Sequence, residues 1–316
     1  MKVAATAAAS VSNLGPGYDV LGLCLETPRD RVVAELTSSG IVELVDVSGD
    51  AGRLPRTAAQ NCAGIAAQCV LEQFGSPEMG VRLWLEKGLP LGSGLGSSGA
   101  SAVAAAMATC ALVSPETPRE ALLTACREGE RHATGSPHPD NVAPSLLGGL
   151  VACVARPTAS DPDGLEVVQL PMPDGLWIAA VKPDVEVRTA DARAVLPTHV
   201  PMADVVSNLG AMASLVAGLA TGDLAQVGRA LTDRIATPYR LALIPGYERV
   251  VSAACEAGAV GAGISGSGPT VFALVSGADL ALKVADAMVE TFESVGHQAM
   301  KVVGAVDPVG ARLEEL

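Results

Sequence analysis

Aromatic side chains are scarce, with two Trp, three Tyr and three Phe in 316 residues. Because 49% of the chain is nevertheless apolar, its core must be built from Ala, Val and Leu, whose small size lets helices pack closely. Positive charge is also in short supply. Against 34 acidic residues stand 21 Lys and Arg, a net charge of -13, which argues against nucleic acid or an anionic membrane as partner. A small anion can still be held in a local electropositive pocket. The seven cysteines are scattered, odd in number and never spaced CxxC. That excludes a zinc or disulfide framework and fits reduced thiols in a cytoplasmic protein. No long apolar run stands out, since the tract Ala102 to Val113 is too short to span a bilayer. Val3 to Val11, mostly Ala and leading straight into a turn, reads as a strand and not as a signal peptide. No internal repeat is evident.

What the chain has instead is glycine beside serine. Pro90-Leu91-Gly92-Ser93-Gly94-Leu95-Gly96-Ser97-Ser98-Gly99-Ala100-Ser101 runs into an alanine-rich helix. Glycines let backbone approach a ligand, serines add donors, and free N–H groups at a helix start favour an anion. Gly94 to Gly99 matches GxGxxG, but Lys87 to Leu91 separates it from the preceding strand. The next acidic residue, Glu116, lies among prolines, so a dinucleotide fold is set aside. A Walker A loop is excluded because the Lys-Ser/Thr ending is missing. The segment is read as a phosphate cradle.

The first half mixes strands (Arg31 to Leu36, Ile41 to Val47, Val81 to Leu85, Leu150 to Ala155) with helices at Thr57 to Phe74, Ser98 to Val113 and Pro118 to Ala133. Thr117 and Glu120 suggest a capping box for the third helix, with Pro118 in its first position. Pro157 to Gly164 is the expected junction between domains 1–160 and 161–316. Beyond it come a strand (Leu176 to Val181), helices (Ala203 to Leu219, Asp223 to Ile235, Tyr247 to Ala257), a strand (Pro269 to Val275), a helix (Ala278 to Val295) and a strand (Gln298 to Val303). The alternation implies an α+β fold with helices against sheets.

Glu130 shares a helix face with Leu122, Leu123 and Cys126 and therefore points inward. A carboxylate there needs a cation or several donors: it is either a Mg2+ ligand or half of an internal salt bridge, and the nearby phosphate loop favours the metal. Ser98 could offer its hydroxyl to the same ion. Gly135 to Asn141 places His138, Asp140 and Asn141 in a turn-forming segment, where Asp140 could orient or deprotonate an attacking hydroxyl. His132 and His138 are six apart, which fits no helical zinc spacing. Asn13 and Asp19 flank the turn Asn13-Leu14-Gly15-Pro16-Gly17, able to bind a hydroxyl or ammonium group, or simply to end a strand. Thr189 and Arg193 share a face of a short helix ending at Pro197. Arg193 and Arg240, unless they are ordinary surface charges, would together clamp a carboxylate. Gly261 to Thr270 is a second glycine nest.

Together NLGPGYD, PLGSGLGSSGAS, HPDNVAPSLLGG and GISGSGPT resemble the GHMP kinase superfamily over nearly the whole chain. TADARAVLP and ATPYRLALIPG, with the HPDN segment, resemble its homoserine kinase branch. The resemblance implies a two-domain fold, an N-terminal domain like ribosomal protein S5 domain 2 and a ferredoxin-like C-terminal domain, with the active site between them. It implies MgATP-dependent phosphorylation of L-homoserine in threonine biosynthesis by a cytoplasmic enzyme, with self-association into a homodimer compatible. Residues 90–100 would wrap the triphosphate, Ser98 and Glu130 hold Mg2+, and Asn61 lie near the base. Asn13, Asp19, His138, Asp140, Asn141, Thr189, Arg193, Arg240 and the Gly266 backbone would hold homoserine. A different acceptor (shikimate, mevalonate or an isoprenoid intermediate) and a catalytically silent nucleotide sensor are the competing readings.

Overall fold

The computed structural model describes residues 1–159 and 161–315. In chain order the strands are β1 (Lys2–Ser12), β2 (Leu21–Thr37), β3 (Val42–Ser48), β4 (Gly80–Glu86), β5 (Leu150–Ala155), β6 (Leu165–Leu170), β7 (Leu176–Pro183), β8 (Gly261–Ile264), β9 (Val271–Ser276), β10 (Ala299–Ala305) and β11 (Arg312–Glu314). The helices are α1 (Cys62–Phe74), α2 (Ser97–Val113), α3 (Leu123–Thr134), α4 (Pro139–Leu147), α5 (Thr189–Ala194), α6 (Met202–Thr221), α7 (Leu224–Ala230), α8 (Thr237–Arg240), α9 (Tyr247–Glu256) and α10 (Ala278–Ser294). The first sheet runs β11-β1-β2-β4-β3, with β5 on β2 and β6 beyond it. The second runs β10-β7-β9-β8. The second is antiparallel throughout, and in the first only β3 and β4 are parallel.

Packing explains the composition. Every residue of α2 from Gly99 to Cys110 is buried, so this helix has no polar face and must be nearly all small. It lies against β1 and β2 and between α1 and α3. Gly129 of α3 sits so close to α1 that a Cβ there would meet the Cys62 carbonyl at 2.6 Å and Ala102 at 2.8 Å. That approach brings the next residue, Glu130, over the start of α2. The second sheet carries its own core around Phe292, while Phe272 of β9 packs into the cluster shared with the first sheet; both are at 0% exposure.

The expected α+β architecture is present, with several elements displaced. Pro118 is extended, and Thr117 Oγ1 donates to Ser114 Oγ at 2.8 Å. The capping box therefore does not form, and α3 begins at Leu123 after a single 3-10 turn. The helix expected from Thr57 starts at Cys62, capped by Asn61. The one expected to reach Ile235 stops at Ala230, because the Asp233 carboxylate accepts the N–H groups of Ile235, Ala236 and Thr237. Sheet pairing also moves the domain boundary. β6 still belongs to the first sheet and β11 returns to it, so the chain crosses over after Leu170 and not at 160. Ser160 in the expected junction and the terminal Leu316 lie outside the described residues.

Among the described residues one helix, α6, is long and apolar enough by length and composition to cross a membrane, with mean hydropathy 1.4. Interspersed Ser, Asn and Gly hide it from a search for unbroken apolar runs. It is tied to the body by the buried Asn208, whose Nδ2 donates to the Pro16 carbonyl at 2.8 Å and whose Oδ1 accepts from the Arg234 N–H at 3.1 Å. Leu215 and Leu219 bury its inner face.

Candidate active site

The serine-glycine loop crosses the floor of a cleft of about 590 Å3. Gly94 and Gly96 are left-handed, φ +76° and +68°, which a β-carbon would disfavour. Space forbids one as well: at Gly94 it would lie 2.5 Å from the Ser265 carbonyl oxygen, and at Gly96 2.2 Å from Ser10 Oγ. The loop thus threads between β1 and the turn after β8, and delivers Ser97 and Ser98 to the first turn of α2. Ser97 Oγ is buried with no partner among the described residues, facing the same cleft as the uncapped N–H groups of that helix, a suitable setting for an anion.

Beneath the loop lies a buried ion pair that sequence inspection missed. The Lys87 ammonium pairs with the Asp30 carboxylate, and both side chains are essentially inaccessible. Lys87 also donates to the Ser97 carbonyl at 2.8 Å and to Ser101 Oγ at 2.9 Å. Asp30 accepts the N–H groups of Gly88 and Leu89, each at 3.0 Å. Two strands, the loop and α2 therefore meet on a single pair of charges. Asp30 and Lys87 are 57 positions apart, so no local motif betrays them.

Over the helix start stands Glu130, 1% exposed, whose Oε2 accepts from Ser98 Oγ at 2.5 Å. Burial pushes its carboxyl up to about 7, against the opposing effect of hydrogen bonds from Ser98 and Asn141. The HPDN segment is the start of α4 and not a free turn. Pro139 takes the first helical position, where a missing N–H costs nothing. Asp140 follows it into the interior, 2% exposed with Oδ1 unpartnered. Burial, then the neighbouring Asp19, raises its carboxyl to about 8.

The opposite wall is cationic. Arg193 Nη2 reaches both Asp19 oxygens at 2.9 Å and His138 Nδ1 at 3.0 Å. Since a guanidinium only donates, Nδ1 must accept and the imidazole proton resides on Nε2, an atom with no partner among the described residues. Burial, then Arg193, lowers the His138 pKa to about 4, so the ring is neutral. Arg240 is 4% exposed and donates to the carbonyls of Ala192 at 3.2 Å and Gly266 at 2.9 Å. Asn13 Nδ2 donates to that same Gly266 oxygen at 2.9 Å, while its Oδ1 accepts the Asp19 N–H. Thr189 begins α5 at the cleft edge. Both arginines lie over the ring of Tyr18, a residue that NLGPGYD contains but to which no role was given.

Not every expected residue faces the cleft. Leu91, Gly92, Ser93, Gly94, Gly96, Ser97 and Ser98 line it, whereas Pro90, Leu95, Gly99 and Ala100 do not. Leu95 and Ala100 are core residues, and Gly99 packs on α4 beside Val142. Asn61 lines the cleft, yet its amide is spent on the fold, accepting from the Ala63 N–H at 3.0 Å and donating to the Pro55 carbonyl at 2.9 Å. Asp19, expected to meet an ammonium group, is already paired with Arg193. Asp19, His138 and Asp140 offer ligand atoms within 4.8 Å of one another, but the Arg193 cation among them opposes a metal there.

Residues 61–149 match the model "GHMP kinases N terminal domain" and residues 215–294 "GHMP kinases C terminal". The homoserine kinase of Pyrococcus furiosus is 42% identical over 93% of this chain and 94% of its own. That of Arabidopsis thaliana is 40% identical over 97% and 83%. A crystal structure of homoserine kinase from Cytophaga hutchinsonii superposes with TM-score 0.92 at 40% identity, covering 99% of this chain and 97% of that one. The L. major mevalonate kinase, at 16% identity and TM-score 0.70, shares the fold alone. With relatives so similar along almost their entire length, the chain belongs to the GHMP kinases and, within them, to the homoserine kinase family.

Proposed function

We propose that this site transfers the γ-phosphoryl group of ATP to the side-chain hydroxyl of L-homoserine, giving ADP and O-phospho-L-homoserine for threonine biosynthesis. The observation that carries the reading is the convergence, in one cleft, of the Ser98–Glu130 pair with the Arg193 and Arg240 guanidiniums. Residues 91–98 cradle the phosphates with backbone N–H groups and the Ser97 hydroxyl. Ser98 Oγ and the Glu130 carboxylate are hard oxygen donors with no basic side chain bonded to them, a set that suits Mg2+. When bound, Mg2+ neutralises charge on the phosphoryl oxygens. The arginines hold the acceptor's carboxylate. The unpartnered Nε2–H of His138 and the buried Asp140 carboxyl offer hydrogen bonds to an acceptor hydroxyl beside the arginines.

In the transfer, the homoserine oxygen forms its bond to the γ-phosphorus as the bridge to the β-phosphate breaks and leaves on ADP. Asn141 and Asp140 orient the hydroxyl. A carboxyl raised to about 8 is protonated at neutral pH and has no free site for another proton. Asp140 therefore acts as a guide before it acts as a base, in keeping with the small need for base assistance in loose phosphoryl transfer. The hydroxyl proton passes to solvent.

Seven free thiols fit a reducing cytoplasm. The outer face of α6, exposing Met202, Val206 and Leu209 and uncharged from Val205 to Gly222, is where two copies of so acidic a chain meet with least repulsion, which supports a homodimer. A coupled ADP-release assay over L-homoserine, L-serine, mevalonate and shikimate tests the reading. Turnover is expected with homoserine and is lost with Arg193→Ala at ordinary substrate levels. Equal turnover of shikimate or mevalonate, or full activity of Arg193→Ala, refutes it.

A further inference from the structure

We infer that Tyr18 is the positioning residue of the carboxylate clamp, its ring holding the Arg193 and Arg240 guanidiniums together so that an acceptor's carboxylate meets two preset cations. The inference rests on the clamp reading above and extends it to a residue that need not touch substrate.

Arg240 is nearly fully buried, and among the described residues it forms no salt bridge. Its polar partners are the two carbonyls of Ala192 and Gly266. A buried cation without an anion is costly, and a second cation, Arg193, stands nearby and adds repulsion. Burial lowers the Arg240 pKa and Arg193 adds to that, while Tyr18, Asp19 and Asp233 oppose it. Arg193 is bonded directly to Asp19; Arg240 feels Asp19 and Asp233 only at a distance and has in contact the face of Tyr18, whose centroid lies 5.3 Å from its Cζ. The Arg193 Cζ lies 5.9 Å from the same centroid, and its Nη1 donates to the Tyr18 hydroxyl at 3.1 Å. Both distances are within the reach at which a ring quadrupole attracts a guanidinium.

The ring is also held where it is needed. Asn13, Leu14 and Asp19 all adopt positive φ, at 73°, 46° and 55°, a local strain that persists only when the surroundings over-determine the backbone. They do so through Asn13 to Gly266 and Asp19 and through Asn208 to Pro16. Tyr18 is thus fixed on a rigid turn of the first sheet while the two arginines come from α5 and α8. A flexible aliphatic residue in its place would leave two like charges to separate.

Two substitutions divide ring from hydroxyl. Tyr18→Phe keeps the π face and is expected to hold the homoserine KM within about threefold of wild type, since Arg193 keeps its bonds to Asp19 and His138 when the hydroxyl is removed. Tyr18→Leu should raise that KM by about tenfold or more, with the ATP KM changed by less than about twofold. In an Arg240→Ala background Tyr18→Leu should cost less than it does alone, because one of the two guanidiniums the ring holds together is gone. Homoserine affinity is checked in parallel by calorimetric titration, so slow variants are still read, and Tyr18→Met replaces Tyr18→Leu if the latter melts below assay temperature. If Arg193→Ala and Arg240→Ala leave homoserine affinity intact, the clamp itself is wrong. If they weaken it while Tyr18→Leu does not, or if Tyr18→Leu shifts ATP and homoserine equally, the clamp stands and the role of Tyr18 is refuted.

Discussion

Asp30→Ala should destabilise the protein severely and loosen its grip on ATP, although Asp30 touches no substrate. Four donors meet the Asp30 carboxylate: the Lys87 ammonium, Ser101 Oγ at 2.6 Å, and the N–H groups of Gly88 and Leu89. Deletion leaves a fully buried ammonium with only the Ser97 carbonyl and Ser101 hydroxyl as partners. Breaking one side of a buried pair costs about 3–5 kcal/mol. The two orphaned N–H groups add roughly 1–3 kcal/mol each in isolation, but they overlap with the first loss and do not add in full. A total of about 4–6 kcal/mol, at roughly 2–4 °C per kcal/mol, lowers Tm on the order of 10–20 °C.

Thermal unfolding followed by circular dichroism reads the stability, and steady-state KM for ATP at a permissive temperature reads the loop. Replacing both charges, Asp30→Leu with Lys87→Met, should recover much of the lost Tm, since a buried pair exchanged for apolar groups is often near neutral. It should not recover the ATP KM, because the Lys87 bond to the Ser97 carbonyl is gone. An Asp30→Ala protein melting within about 3 °C of wild type, or a double variant with normal ATP affinity, would refute the view that this pair sets the loop.

Glu130→Gln keeps size and burial but removes the charge; we expect kcat to fall by about 10²–10³, read in the ADP-release assay across a magnesium titration, and unchanged kcat would sink the metal-holding role. The Asp140 carboxyl is raised by burial, with Asp19 second, from 3.8 to about 8, so between these values the folded state holds a proton that the unfolded chain has released. Stability of the nucleotide-free protein in EDTA should therefore decline as pH rises from 4 to 8. Asp140→Asn should lessen that decline, whereas parallel Tm–pH curves for wild type and variant would contradict it. Gly94→Ala forces a β-carbon onto the Ser265 oxygen in a left-handed backbone; a loss of about 2–3 kcal/mol and a raised ATP KM are expected, and a wild-type melting curve with wild-type KM would count against the threading of the loop.

The parts legible in the sequence are those whose chemistry is local. A serine-glycine run ahead of an alanine helix announces a helix-terminal anion site because its glycines answer to backbone geometry and its alanines to burial on all sides. Glu130 could be turned inward from its own helix face. Local signals also misled where a nearby competitor won. Thr117 had the spacing of a cap, but its hydroxyl found Ser114. Pro137 and Pro139 looked like turn residues, yet the second opens α4. Asn61, which the resemblance places near the base, lines the cleft while its side chain also caps α1. Lys87 with Asp30, and Tyr18 with its two arginines, depend on partners tens to hundreds of positions away, which only the sheet pairing brings together.

The same nonlocality explains why the cleft needs both sheets. The Gly266 carbonyl accepts from Asn13 of the N-terminal turn and from Arg240 of the clamp, while its N–H donates to the Ser12 carbonyl at 3.2 Å. Next to it, Ser265 Oγ donates to the Gly94 carbonyl of the phosphate loop at 2.7 Å. One turn of the second sheet thus touches the wall that would bind the acceptor's carboxylate and the loop that would bind the triphosphate. A carboxylate drawing on Arg240 acts on a turn that is bonded to the nucleotide loop, so the two subsites share a support and neither is set independently. Phosphoryl transfer needs its two reactants held at a fixed separation, and a common backbone turn fixes that separation more firmly than two flexible side chains could.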